Sequence, residues 1–240
     1  MTRTRPAWRQ ASCCTPAFAL VGRLWPEAGG NHGRCRETCS VWREQPSSPC
    51  DYSRARPDYT CEQRWGSYTA EEHDRFKRLF ARQMEHIVGR ACDPFIASLH
   101  QLGDPSEIPR FDDLNHRLER VTGWRIVAVP GLIPEHDFFA LLAQRRFPIT
   151  DWLRTEDEFD YIVEPDLFHD LFGHLPLLFN PVFADYMQAY GTGGLKAEGL
   201  HALEYLSRLY WYTVEFGLLN TPEGLRVYGA GILSSLGELD

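Results

Sequence analysis

Hydrophobic positions recur with helical spacing from about Tyr68 onward. The stretch opens with a Thr69-x-x-Glu72 capping box, and apolar side chains follow at positions 76, 79, 80, 84 and 87 before Gly89. A capping box ahead of apolar positions three and four residues apart is the signature of an amphipathic helix. The pattern therefore predicts a helix from residue 70 to the glycine.

Between residues 90 and 150 the pattern predicts short elements, each bounded by residues that end helices or form turns. They are a helix with Asp93 as N-cap and Pro94 in its first turn that ends at Gly103, a helix over residues 114–121 that stops at Gly123, a strand over residues 124–129, a turn at Pro130-Gly131 and a helix around residues 138–142.

Longer helical patterns occupy the last third of the chain. Asn180-Pro181 predicts the start of a helix through Tyr190, a Gly-rich loop follows, and a long helix is predicted from about Glu198 to Leu219. No segment repeats internally. The predicted fold class is mainly α with a few short strands, a multihelical α+β domain.

Length and composition narrow the classes of function. The 240 residues correspond to about one and a half typical domains. No apolar run approaches the roughly 20 residues that cross a bilayer. A net charge of -8 argues against nucleic acid and anionic membranes as partners, because both require clustered Lys and Arg. We expect a cytoplasmic protein with a small-molecule substrate.

The first 50 residues differ in kind from the rest. They carry a charge of +4 from seven Arg and three Glu, hold five of the seven cysteines, and show no helical or alternating period. We predict a disordered tail over residues 1–60, which a wrongly assigned start codon would also explain. His32, Cys35 and Cys39 could bind zinc, although free thiols are the simpler interpretation.

The sequence EPDLFHDLFGH, residues 164–174, concentrates side chains of the kind that bind metals. His169 and His174 are five residues apart, which places them about 140° apart around an ideal α-helix. Gly173 and Pro176 are helix-ending residues, so a helix that loosens at Gly173 could bring the imidazoles together. Taken alone, the two histidines also fit a helix cap and a satisfied, partly buried histidine.

Glu215 favours the metal interpretation. It lies in RLYWYTVEFGLLN, an almost wholly apolar stretch that we expect to form a buried helix. A buried carboxylate is costly unless it is paired or binds a cation, and Arg208 is about two helical turns away. Two imidazoles and one carboxylate form the facial triad of non-haem iron(II) enzymes. The sequence therefore predicts an iron(II) site at His169, His174 and Glu215.

Three long motifs carry a resemblance to a known family: EPDLFHDLFGH, LYWYTVEFG and YGAGILSS. They resemble motifs of the pterin-dependent aromatic amino acid hydroxylases, and VPGLIP and NPVFADYMQAYG resemble the bacterial branch. The resemblance covers about residues 68–238. It implies a catalytic domain over residues 61–240, an unregulated monomer, and hydroxylation of phenylalanine to tyrosine by dioxygen. It also implies the same three iron ligands.

The resemblance further implies a tetrahydropterin site. The backbone of Gly131, Leu132 and Ile133 would hydrogen-bond the pterin edge, and Phe138 would stack on its ring. Without the motif, Phe138 would be interpreted as a core residue of an amphipathic helix. Asp170 is also expected at the cofactor. Asp166 and Asp170 would orient ligands or ordered water, although helix-start carboxylates explain both equally well.

Substrate contacts follow from the same resemblance. Arg154 would grip the substrate carboxylate, a role that suits a planar bidentate donor, whereas the sequence alone would make it a surface arginine. Tyr210 and Trp211 would lie beside the iron. Ser234 and Ser235 would form the far wall of the substrate site and support the ligands.

Three alternatives stay open. Pockets for phenylalanine, tyrosine and tryptophan differ by a few contacts, so tyrosine or tryptophan could be the substrate. A zinc hydrolase could use the same ligands with Asp170 as base, although zincins place their histidines four residues apart. Family catalytic domains continue for several dozen residues beyond the Ser-Ser segment, so we expect the C-terminal part of the domain to be missing. A catalytically inactive fragment is the third alternative.

Overall fold

The computed structural model of the protein describes residues 50–239. Residues 1–49, which include the cysteine-rich region and the alternative zinc ligands, lie outside the described part. The disordered tail was predicted to extend to residue 60, but residues 50–60 make defined contacts with later residues. Tyr52 bonds the carbonyl of Leu132, and Arg54 pairs with Asp151. No sequence period predicts these contacts, because they are made by single side chains of one short 3₁₀ turn.

The described residues are mainly helical, as predicted, with two separate two-stranded sheets. The helices are α1 Ala70–His86, α2 Asp93–Leu99, α3 Phe111–Thr122, α4 Glu135–Ala143, α5 Leu175–Leu178, α6 Pro181–Gly199, α7 Leu203–Tyr210, α8 Ala230–Leu233 and α9 Leu236–Leu239. The strands are β1 Arg125–Val129, β2 Arg146–Thr150, β3 Leu218–Thr221 and β4 Gly224–Val227. Short 3₁₀ helices form at Tyr52–Arg54, Trp65–Ser67 and His100–Leu102, and π-helices form at His169–His174, the first π segment, and Trp211–Glu215, the second π segment.

Three predicted helix termini are confirmed by their caps. Thr69 and Glu72 form the reciprocal capping box of α1, and Gly123 ends α3 in the left-handed conformation with φ of 73°. The Asn180 side chain accepts the N–H groups that open α6. The N-cap of α2 is Cys92, so the prediction of Asp93 was wrong by one residue.

The parallel strands β1 and β2 position the segments that carry predicted cofactor and substrate residues. Helix α4 connects the two strands, and their register runs from Arg125 opposite Arg146 to Val129 opposite Thr150. Both strands therefore end at the same edge. That edge carries the loop over residues 131–134 after β1 and the segment over residues 151–154 after β2. The crossover thus brings the predicted pterin loop near Arg154.

The prediction of a Gly-rich loop after Tyr190 was wrong, because the glycines lie inside α6. A Cβ on Gly191 would lie 2.1 Å from the backbone nitrogen of Ala143, and one on Gly194 would lie 2.3 Å from the Phe139 ring. The glycines let α6 pack against α4 at backbone distance. Close helix packing, which a single-sequence pattern does not reveal, outweighs the low helix propensity of glycine here.

The long helix predicted from Glu198 to Leu219 was also wrong. The chain leaves α6 through His201, which has φ of 52°, and re-enters a helix at α7. The second π segment follows, and β3 begins at Leu218. Leu209 and Tyr212 are exposed, so the apolar stretch is not buried on every side.

A cluster of buried aromatic rings lies between the first π segment and α1. Phe168 stacks on Phe172 with ring centroids 5.2 Å apart, and Phe80 of α1 meets the edge of Phe172 at the same distance. Burial of these rings holds the segment firmly against α1. Within residues 50–239, no helix combines the length and apolar character that a bilayer crossing requires.

Candidate metal centre

The π-helical turn between His169 and His174 brings the two imidazoles together. Hydrogen bonds from residue i to i+5 widen the helix, so residues five apart lie on one face. The two ring centroids are 5.0 Å apart. The helix does not end at Gly173, as the sequence suggested, but continues into α5 through Pro176. Pro176 lacks the N–H that an α-helical bond to Phe172 would need, which is compatible with a π turn.

Glu215 of the second π segment completes the group. Its Oε1 lies 3.1 Å from Nε2 of His174, and its Oε2 lies 3.6 Å from Nε2 of His169. Atoms bound to one ion at about 2.1 Å and at right angles lie roughly 3 Å apart, so the spacing fits one cation. The side chains of His169, His174 and Glu215 are 14%, 5% and 13% exposed.

The YGAGILSS motif backs this centre with close backbone contacts. A Cβ on Gly173 would lie 2.8 Å from the carbonyl oxygen of Ala230, so only glycine lets the first π segment approach α8. A Cβ on Gly229 would lie 2.4 Å from the carbonyl oxygen of Glu215, and the Gly231 N–H helps to hold the pKa of the Glu215 carboxyl below its usual value. The motif therefore fixes the carboxylate and one histidine segment together.

The Ser234 hydroxyl selects the tautomer of His169. It donates to the carbonyl of Ala230 at 2.8 Å and therefore accepts from Nδ1 of His169 at 2.7 Å. The Nε2 lone pair of His169 is then directed toward Glu215 and His174. This contact agrees with the ligand-supporting role predicted for Ser234, while substrate contact by Ser234 and Ser235 stays a prediction.

Burial and charge prepare the three groups for a cation. Burial lowers the pKa of His169 to about 4, so this imidazole is neutral at pH 7. Burial opposes ionisation of Glu215, but the charge and hydrogen bond of His174 outweigh it and hold the carboxyl pKa below its usual value. Burial likewise opposes charging of His174, and Glu215 outweighs it and raises the imidazole pKa. A metal cation at this point would likewise supply the positive charge that stabilises the Glu215 carboxylate.

Asp170 lies at the edge of the centre. Its Oδ2 accepts the backbone N–H of Thr150 at 2.7 Å, which ties it to the end of β2, and its Oδ1 is 4.0 Å from Nε2 of His169. Burial raises its pKa to about 7. Asp170 and both histidines also form a cluster with ligand atoms within 4.8 Å of one another. Glu215 is nearer to both imidazoles and is the better third ligand.

Arg154 is buried, so its interpretation as a surface arginine was wrong. It is 3% exposed and donates from Nε and Nη2 to the Asp166 carboxylate at 2.9 Å each. Asp166 also accepts the backbone N–H of His169, at 3.0 Å. Asp166 therefore joins the arginine to the start of the first π segment. Its predicted orienting role is exerted on backbone and guanidinium rather than on an imidazole.

The predicted pterin and ring contacts gather around Tyr210. The half-buried Phe138 ring meets the Tyr210 ring edge-on, with centroids 5.3 Å apart, and Trp211 packs against Phe216 at 4.8 Å. Among residues 50–239, the buried Tyr210 hydroxyl has no hydrogen-bond partner. Burial raises the Tyr210 pKa well above its usual value, so the hydroxyl stays a donor.

Gln83 escaped the sequence reasoning. This fully buried side chain of α1 donates to the carbonyls of Leu233 and Ser235, at 2.8 and 3.3 Å, on either side of Ser234. The signal was present, because Gln83 is an amide within the apolar stripe of α1. A polar residue on a buried face needs a partner.

The multihelical fold, with two histidines and a glutamate on π-helical turns, defines a class of proteins. Comparison of the sequence with known protein families identifies that class. Residues 61–240 match the profile of the biopterin-dependent aromatic amino acid hydroxylases. The chain belongs to this family. The predicted family is thereby confirmed, and the mainly α fold is the family's fold.

Two curated relatives are bacterial phenylalanine-4-hydroxylases. The protein of Ralstonia nicotianae is 58% identical over 197 residues, which are 82% of this chain and 63% of the relative. The protein of Chromobacterium violaceum is 58% identical over 182 residues, which are 75% of this chain and 61% of the relative. The chain thus spans about three fifths of the length of these relatives.

Solved structures of the Chromobacterium violaceum enzyme are similar to this fold. One contains bound iron(III) and the oxidised cofactor 7,8-dihydrobiopterin. It is 58% identical in sequence to this chain and has a TM-score of 0.74. The match covers 76% of this chain and 67% of the Chromobacterium violaceum chain. Another contains iron and phenylalanine. It is 56% identical in sequence to this chain and has a TM-score of 0.72. The match covers 76% of this chain and 66% of the Chromobacterium violaceum chain.

Proposed function

We propose that this chain hydroxylates L-phenylalanine to L-tyrosine with dioxygen and a tetrahydropterin at an iron(II) site, as a phenylalanine 4-monooxygenase. The observation that carries the proposal is the approach of His169, His174 and Glu215 to one point. The relatives' names and the iron, dihydrobiopterin and phenylalanine bound in the Chromobacterium violaceum structures support the cofactors and the substrate.

The donor set fits iron(II). Nε2 of His169, Nε2 of His174 and a Glu215 oxygen would hold the ion and leave the opposite face open, as in facial-triad enzymes. The backbone of residues 131–133 and the Phe138 ring would hold the pterin, with Asp170 nearby. When bound, iron(II) and the reduced pterin together supply the activation of dioxygen.

The chain's own residues orient the reactants. Ser234 holds His169 in the tautomer that binds metal, and Glu215 supplies the negative charge that a divalent cation requires. Arg154 uses Nε and Nη2 for Asp166 and keeps Nη1 for a substrate carboxylate. Tyr210 and Trp211 would flank the substrate ring, with Ser234 and Ser235 beyond it. Such positioning is the main contribution a protein makes to a cofactor's reaction.

The assignment of residues 61–240 as the catalytic domain is part of the same proposal, and the family match over these residues supports it. We further propose that the protein acts as a monomer in the cytoplasm, on the resemblance to the bacterial branch alone.

Anaerobic reconstitution with iron(II) tests the activity. Zinc is excluded, because zinc binds such sites more tightly than iron(II). Tyrosine formation from phenylalanine is measured with reduced pterin, and tyrosine and tryptophan serve as alternative substrates. The assay is repeated on this chain fused to the C-terminal remainder of the Chromobacterium violaceum enzyme. Tyrosine formed by either protein supports the proposal. No product from both, despite bound iron, contradicts it, and hydrolysis by a zinc-loaded form would favour the zinc alternative.

Glu215→Gln isolates the role of the carboxylate. We expect weaker iron(II) binding and collapse of tyrosine formation, with the helical circular dichroism largely preserved, because Gln keeps the shape but not the charge. The matched control is Glu204→Gln on the exposed face of α7, where Glu204 pairs with Arg208. Unchanged turnover in Glu215→Gln would refute the ligand role.

A further inference from the structure

Residues 50–64, here called the docking segment, lie along the edge where β1 and β2 end. The Tyr52 hydroxyl donates to the carbonyl of Leu132 at 2.8 Å, in the loop after β1. The backbone N–H of Cys61 donates to the carbonyl of Ala128 at 2.8 Å, on β1 itself. Residues 50–60 precede the part of the chain that matches the family profile, so Tyr52 lies outside that match.

A buried carboxylate after β2 anchors the docking segment. Asp151 has a side chain that is 2% exposed, and its Oδ2 accepts from Arg54 and Arg64 at 3.0 Å each. Its Oδ1 accepts from the Tyr68 hydroxyl at 2.8 Å. The backbone N–H of Asp151 in turn donates to the carbonyl of Val129. Charge-assisted bonds in a buried place are strong, so this anchor holds the segment at the strand ends.

The docking segment and the loop after β1 are in close contact at Gly131. A Cβ at Gly131 would lie 2.5 Å from Sγ of Cys50 and 3.1 Å from the Tyr52 hydroxyl. The loop backbone is therefore packed against the segment and not only joined to it by one hydrogen bond.

Peptide planarity turns the Tyr52 contact into an orienting device. The carbonyl of Leu132 and the N–H of Ile133 belong to one planar trans peptide, and they point in opposite directions. A hydroxyl that holds the carbonyl from one side fixes the direction of the N–H on the other side. The amide of Ile133 is thereby aimed away from the docking segment.

We propose that Tyr52 is a positioning residue for the pterin, because it locks the Leu132–Ile133 peptide in the orientation that presents Ile133 N–H to the edge of the heterocycle. The inference rests on the proposed function, since it assumes that this loop binds a pterin. It adds a residue that precedes the matched domain to the set that determines cofactor affinity.

The test compares Tyr52→Phe with Tyr68→Phe in the full chain loaded with iron(II). Both variants remove a hydroxyl hydrogen bond of 2.8 Å from the same region, but only Tyr52 bonds the loop. Anaerobic titration calorimetry with tetrahydrobiopterin gives Kd for the pterin, and a separate titration gives Kd for iron(II). Amide hydrogen exchange without pterin reports the loop itself.

Tyr52→Phe should weaken pterin binding about threefold to tenfold, the effect of losing one neutral hydrogen bond. Exchange at the amides of residues 132 and 133 should accelerate, while iron(II) affinity stays unchanged. Tyr68→Phe weakens the anchor but keeps the Tyr52 bond, so it should reduce pterin affinity and accelerate loop exchange less than Tyr52→Phe does.

Three results would overturn the inference. Equal pterin affinity of Tyr52→Phe and wild type contradicts it and leaves the proposed function intact. An equal loss in Tyr68→Phe and Tyr52→Phe shows general loosening of the segment instead of a specific orienting bond. Failure of the wild-type chain to bind pterin overturns both the inference and the cofactor assignment, and the exchange data then report only the structural contact.

Discussion

Ser234 uses its hydroxyl to orient a histidine through the nitrogen that faces away from the candidate metal. We predict that Ser234→Ala weakens iron(II) binding by about 10–100-fold, because loss of such a partner frees the ring and its tautomer. Metal titration measures the effect, and Ser98→Ala on α2 is the control. Equal iron affinities in the variant and the wild type would contradict the orienting role.

Asp166 and Arg154 form the buried ion pair that joins the segment after β2 to the first π segment. We predict that Asp166→Asn lowers the free energy of unfolding by about 3–5 kcal/mol, because it leaves a buried guanidinium without a counter-charge. Urea denaturation measures this change.

The control for the ion pair is Asp185→Asn, which removes a pair between Arg145 and an exposed aspartate. Surface pairs contribute about 0–1 kcal/mol, so its effect should be small. Similar losses in the two variants would show that burial does not distinguish the two pairs.

Among the elements, the packing of α4 against α6 explains a sequence pattern that was misread. We predict that Gly191→Ala destabilises the protein by about 1–3 kcal/mol, because the new methyl group would collide with the α4 backbone. Thermal denaturation measures the change.

Gly193→Ala in the same helix is the matched control. Its methyl group would meet only Leu206, at 3.5 Å, and alanine favours helix by up to about 1 kcal/mol over glycine. This variant should be neutral or more stable. If both variants behave alike, backbone approach is not the reason for the glycine at position 191.

The elements differ in how far the sequence predicts them. Caps such as Thr69 and Asn180 are local, since the residues that form the bond are three apart or closer, and they were predicted correctly. The glycines of α6 are explained by close contact with α4, which lies about 50 residues earlier in the chain. Their local interpretation as a loop was therefore wrong. The break near His201 is marked only by Gly199, the last residue of α6, and the predicted helix ran through that glycine.

The candidate site shows the same division. Residue types and expected burial predicted His169, His174 and Glu215 as metal ligands. Imidazoles and a carboxylate in apolar surroundings are costly to bury unless they are paired or bind a cation. The π geometry that unites the histidines was not predictable from α-helical spacing. Nor was the pairing of Arg154 with Asp166, which depends on how the segment after β2 meets the first π segment.

At the scale of the whole molecule, Gln83 connects α1 to the segment that ends the described chain, 150 residues later. We predict that Gln83→Met lowers the free energy of unfolding by about 1–3 kcal/mol, because the buried carbonyl of Leu233 and the half-buried carbonyl of Ser235 lose their donor. It should also weaken iron(II) binding, since those carbonyls flank Ser234.

Chemical denaturation and metal titration check both parts of the Gln83 prediction. The control is Gln101→Met, because the Gln101 side chain is half-buried and its hydrogen bond within the described residues is to the neighbouring His100. A loss of stability with full iron affinity would limit Gln83 to a structural role and would separate the two effects.

The first π segment also constrains how this site tolerates insertion and deletion. An α-helix brings two histidines onto one face when they are four apart, as in zinc proteases. Here the spacer is one residue longer, and the wider turn absorbs it. Removing a single residue between positions 169 and 174 would restore ordinary α-helical winding and keep the imidazoles paired. Because the wider turn absorbs the extra residue locally, the helix after His174 would keep its orientation relative to the part before His169. The metal pair would therefore survive such a deletion together with the junction with α5 and α6.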